Sequence, residues 1–225
     1  MSRLASKSSA DSDWSLDEVE HLFLEGVSWE LYEHLLKVVG ERPLQLTYNN
    51  GELEIMSPLP EHEFAKGFVG DMIKAILEQL DRPRISLGST TFRRRARKQG
   101  LEPDDCFYIQ SHSRVVRSAG KGRINLLKSP RPDLAIEIDI THHSIARLPI
   151  YAALGVPEIW RYDGEKLQCL RLDRSHYRES DLSLAFPKLR VADLRTFLTM
   201  AEDKGDQTAA LKAFRGWLKK QSWAK

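Results

Sequence analysis

Along residues 132–140, Pro-Asp-Leu-Ala-Ile-Glu-Ile-Asp-Ile, apolar side chains fall on alternate positions: Leu134, Ile136, Ile138 and Ile140. Period-two alternation with β-branched residues predicts a half-buried strand. Asp133, Glu137 and Asp139 then share its other face with Ala135, and same-face neighbours project roughly 6.5–7 Å apart. Like charges in a row repel. Two readings stay open: a divalent cation held by hard carboxylate oxygens, or an edge strand whose acidic face is solvated.

The same patterning lays out the rest of the chain. Ser15 to Glu18 has capping-box spacing and predicts a short helix. A second helix is expected from about Ser28 to Val39, with Trp29, Tyr32, Leu35 and Leu36 on one face. Leu44–Tyr48 and Glu52–Met56 alternate around Asn49-Asn50-Gly51, a hairpin signal, since Asn-Gly accepts positive φ. From Glu61 to Leu80, Phe64, Phe68, Met72, Ile73, Ile76 and Leu80 recur at helical spacing. Short strands are expected near 84–87, 90–93 and 105–109, and residues 111–131 look like a basic, irregular connection. The acidic strand leads into a helix over about 144–154, stopped by Gly155 and Pro157. A strand at 158–162 then forms a hairpin with 166–172, and two helices follow near 191–201 and 207–219. Hairpins beside a strand–helix–strand unit imply an α/β or α+β fold, a mixed sheet with helices on its faces.

Composition narrows this little. The 41% hydrophobic and 29% charged fractions are those of a soluble globular protein, and a net charge of +2 does not by itself announce nucleic acid. No apolar run is long enough for a membrane span. Residues 1–13 have no apolar stretch and are expected to be a disordered tail rather than a secretory signal. Cys106 and Cys169 lack metal-ribbon spacing and fit a reducing, cytoplasmic setting. The expected division is this tail, a domain over 14–190 and a C-terminal helical extension over 191–225.

The chemistry comes from motifs. Glu102-Pro-Asp-Asp-Cys-Phe-Tyr108, Pro132 to Glu137, and Pro149-Ile-Tyr-Ala-Ala-Leu-Gly-Val-Pro-Glu-Ile-Trp-Arg-Tyr-Asp163, with the hairpin and Met56 to His62 before them, resemble the Uma-two family within the PD-(D/E)xK nuclease superfamily. The resemblance covers about residues 40–175. It implies a restriction-endonuclease-like fold and Mg²⁺-dependent hydrolysis of DNA phosphodiesters, with Mn²⁺ as a substitute. The implied metal ligands are Asp104 and Glu137, with Asp133 beside them; Glu61 is the helical candidate, with Glu63 close behind. Nucleases of this fold often act as homodimers, but no dimer surface is legible.

The pattern breaks at its lysine. The usual third position of ExK is Asp139, and the lysine that family members carry on the next helix corresponds to Arg147. Arginine keeps the charge but gives up no proton near neutral pH. This implies a slow enzyme, or a non-catalytic nucleic-acid-binding or protein-interaction module on the same fold. Arg93, Arg94, Arg95, Arg97 and Lys98 form a basic cluster that is either a phosphate-binding stretch or a solvated loop. His142 and His143 are adjacent, cannot both face one site, and are expected in a loop.

Overall fold

The computed structural model describes residues 21–40, 42–119, 130–140 and 145–224. The expected disordered tail, the helix near Ser15 and the His142-His143 pair lie outside these residues. The fold is α+β, as expected, and its strands form two sheets, the expected N-terminal hairpin lying in one and the mixed sheet being the other.

The first sheet is antiparallel throughout. It contains β1 (His21–Leu24), β2 (Gln45–Asn49), β3 (Glu52–Met56), β5 (Phe92–Arg94) and β6 (Gln99–Leu101), in the order β1-β3-β2-β6-β5. The β2–β3 turn carries φ of 50° at Asn50 and 107° at Gly51, the two positive values a type I′ turn needs. Helix α1 (Trp29–Val39) starts where Ser28 Oγ accepts the Leu31 N–H, and lays Trp29 and Tyr32 on this sheet. Tyr32 stacks on Tyr48 at 4.8 Å between ring centroids. Gly100 lies so close beneath that a Cβ there would meet the Tyr32 hydroxyl at 2.3 Å. Only glycine fits.

The second sheet adds β4 (Ile85–Ser86), β7 (Asp105–Tyr108), β8 (Leu134–Ile138), β9 (Glu158–Tyr162), β10 (Leu167–Asp173) and β11 (His176–Glu179). Their order is β11-β10-β9-β8-β7-β4. Only β8 and β9 run parallel, which requires a crossover, and α4 (Arg147–Leu154) supplies it. Gly155, at φ +78°, ends that helix in the left-handed conformation.

Helix α2 (Pro60–Gln79) opens on a proline, whose missing N–H is one the first turn would leave unpaired. It packs Phe68, Met72 and Ile76 into one core with Ile136 and Ile138. Helices α5 (Arg195–Lys204) and α6 (Gln207–Leu218) contribute Leu198, Phe214 and Leu218 to that same core. The opposite face of the sheet meets α4, where Ile150 and Tyr151 pack with Ala135 and Ile159. Among the described residues no helix is long and apolar enough to cross a membrane.

Several expectations change. Part of the supposed irregular connection is a helix, α3 (His112–Ala119). Strands β1, β6 and β11 carry too few alternating positions to announce themselves. The helix expected from Val191 begins as a 3₁₀ turn, Val191–Leu194, before α5. Most important, β8 is a central strand with all five residues buried, not an edge strand with a solvated acidic face. Nor do its carboxylates form a row, because Asp133 and Asp139 fall outside the strand and turn to other partners.

Candidate active site

Alternation along β8 decides where Glu137 goes. Leu134, Ile136 and Ile138 face α2, so Ala135 and Glu137 face α4. A carboxylate at 3% exposure in a central strand needs partners in place. Helix α4 provides two, one turn apart on the same face. Arg147 Nε lies 2.5 Å from Glu137 Oε1 and its Nη2 lies 3.3 Å from Oε2, while the Tyr151 hydroxyl donates to Oε2. The guanidinium also reaches the other sheet, with Nη1 donating to Thr47 Oγ1 at 3.3 Å and Nη2 to the Glu102 carbonyl at 2.5 Å.

Asp104 sits immediately before β7, paired alongside β8, and is fully buried. Its Oδ2 accepts the Ile138 N–H at 2.6 Å and its Oδ1 accepts Gln45 Nε2 at 2.8 Å. His62 Nε2, from the first turn of α2, lies 3.1 Å from the same Oδ1. Asp104, just before β7, and Glu137, on the neighbouring β8, thus turn to different partners, one toward His62 and the other toward Arg147.

Electrostatics follow from this packing. Burial opposes the Asp104 charge, yet the His62 hydrogen bond, the charges of His62 and Arg147, and the Ile138 N–H hold its pKa below the ordinary aspartate value. Burial likewise opposes charge on His62, but Asp104 and Glu63 outweigh it and raise its pKa above 6.5. Burial also works against the Arg147 charge, which Glu137 more than restores. Burial and then the Glu137 charge keep the Tyr151 hydroxyl protonated, so it remains a donor.

The other expected residues disperse. Asp133 Oδ2 accepts the Ile109 and Ser111 N–H groups and the Ser111 hydroxyl, fixing the chain after β7. Asp139 pairs with Arg161. Glu61 is exposed in the first turn of α2 and lines a smaller hollow with Phe64, Tyr162 and Glu202. Glu63, also exposed, pairs with Lys66. In the basic cluster, Arg95 pairs with Glu30 and Glu33, Arg93 approaches Glu33, and Arg94 donates to the Ala153 carbonyl. Lys98 is exposed in a left-handed turn. Arg97 alone of the cluster lines the main cleft.

That cleft, about 1130 Å³, has Glu137 and Arg147 among its lining, with Arg97, Arg161, Arg174 and His176 around them. Gln45, Thr47, His62 and Tyr151 were not anticipated as site residues. Tyr151 follows Arg147 by one helical turn and His62 follows Glu61 directly, so both were within reach of the motifs. Gln45 and Thr47 come from the other sheet, and no local pattern marks them.

A divalent cation does not fit this donor set as it stands. Coordination needs free carboxylate lone pairs and an excess of negative charge. Each Glu137 oxygen already faces a guanidinium nitrogen, and each Asp104 oxygen already accepts from the protein. Among the described residues, no three His, Cys, Asp or Glu side chains converge to hold a metal ion.

Comparison with known proteins gives a family. The model of the Uma2 family, described as "Putative restriction endonuclease", matches residues 29–201. Restriction-endonuclease-like proteins generally use a divalent metal. A crystal structure described as a putative nuclease belonging to DUF820, from Anabaena variabilis, is similar at 17% identity with a TM-score of 0.48, over 72% of this chain and 90% of that one. No curated protein matches.

Proposed function

Because the chain belongs to the Uma2 family, we propose that it binds nucleic acid in the arginine-lined cleft and hydrolyses phosphodiester bonds as a slow endonuclease. The observation that carries this reading is Glu137 and Arg147 lining the cleft, with Asp104 just before the neighbouring strand. Fixed positive charge beside a reacting phosphate is the main catalytic requirement of such chemistry. The substrate is DNA, the cofactor Mg²⁺ or Mn²⁺, the setting cytoplasmic and the active form a homodimer. Arg147 holds its proton, so it stabilises charge without serving as a base, and this makes the reaction slow.

A second reading has its own support. The donors that close Asp104 and Glu137 favour a non-catalytic nucleic-acid-binding module. Plasmid nicking in Mg²⁺ or Mn²⁺, with a chelator control, separates the two. Cleavage is expected to be weak in the wild type, equal or stronger in Arg147→Lys, and absent in Glu137→Gln. Retained duplex binding with no cleavage by wild type or Arg147→Lys would establish the binding module instead.

A further inference from the structure

We infer that Arg147 and a divalent cation compete for Glu137, so that the chain carries a built-in antagonist of its own metal loading. Arg147 is 6% exposed, and its guanidinium presents nitrogens to both oxygens of Glu137. Its position is fixed from the opposite side by Thr47 Oγ1 and the Glu102 carbonyl, so it is held on the carboxylate by both sheets.

Geometry makes the two occupants alternatives. Arg147 Nε and Nη2 face one Glu137 oxygen each, so the guanidinium stands where a metal ion bound to that carboxylate would stand. Like charges brought that close repel strongly where little water screens them. Metal binding therefore requires the guanidinium to leave Glu137. The Gln45 side-chain oxygen is buried without a hydrogen bond from any described residue, and would add a neutral oxygen donor beside Asp104 once the charge is gone.

The endonuclease reading supplies only the choice of ion here. The test is calorimetric titration with MnCl₂ of wild type, Arg147→Ala, and Arg147→Ala combined with Glu137→Gln. Removing the competing cation should raise Mn²⁺ affinity about tenfold or more, and the double variant should lose the gain. Equal affinity in wild type and Arg147→Ala would overturn the competition, as would a double variant that keeps the gain. Should Arg147→Ala fail to fold, Arg147→Gln retains a polar contact to Glu137 without the charge. Mn²⁺ should then raise the Tm of that variant more than that of the wild type, and equal shifts would overturn the inference. Raised Mn²⁺ affinity in Arg147→Ala, with no DNA cleavage by the wild type, would leave the competition standing and fail the endonuclease. Equal affinity in the two proteins, with cleavage by the wild type, would do the reverse.

Discussion

Asp104 Oδ2 accepts the backbone N–H of Ile138 at 2.6 Å, which ties the first acid of the pair to the residue following the second. Gln45 and His62 complete its surroundings, so Asp104 organises three separate segments. Asp104→Ala would strand their polar groups in the interior and should cost about 3–5 kcal/mol of stability. Urea unfolding measures this, and a loss near zero would mean that solvent reaches the position.

The His62–Asp104 pair gives stability a pH dependence. The folded pKa of His62 is raised, so its contribution is complete below 6.5 and is lost as pH rises through the folded value. For Asp104 the folded pKa is lowered, so its contribution is present above 3.8 and is lost as pH falls through the folded value. Wild-type Tm should fall as pH rises past 6.5, and His62→Gln should flatten that fall. Parallel Tm curves for the two proteins would place the dependence elsewhere.

Tyr151→Phe removes one hydroxyl donor from a buried carboxylate and leaves the ring packing intact. Hydrogen bonds to charged groups contribute about 1.5–3 kcal/mol, and a loss in that range is expected. Chemical denaturation with an unchanged m-value would confirm a local effect.

Cations around the cleft should matter more than the linear basic cluster. Neutralising Arg97 and Arg174 together should weaken binding to unrelated duplexes alike and flatten the log–log salt slope by about 2. Arg95, already paired with Glu30 and Glu33, should leave that slope unchanged when made Gln. The opposite ranking, measured by fluorescence anisotropy across salt concentrations, would return phosphate contact to the cluster.

Local periodicity made much of this fold legible. The α1 and α2 helices, the Asn50-Gly51 hairpin and the β8–α4–β9 unit all carry strong spacing signals. Spacing did not show that β8 lies in the middle of a sheet, because alternation looks the same in edge and central strands. That one fact reverses the meaning of Glu137, from a solvated or metal-facing acid to a buried one held by Arg147. The split into two sheets was hidden for a related reason. It depends on β6 pairing with β2 across 50 residues of chain (Asn49 opposite Gln99), and three-residue β6 advertises nothing.

Arg147 touches Thr47 in the first sheet and Glu137 in the second, so a single buried cation is a strut between them. The sheets cannot part without stripping that cation of its partners at once. Amide hydrogen exchange in β2 and β8 should therefore report one shared opening event, with protection lost together rather than sheet by sheet. A cation shared by both sheets is expected to make their opening a single event.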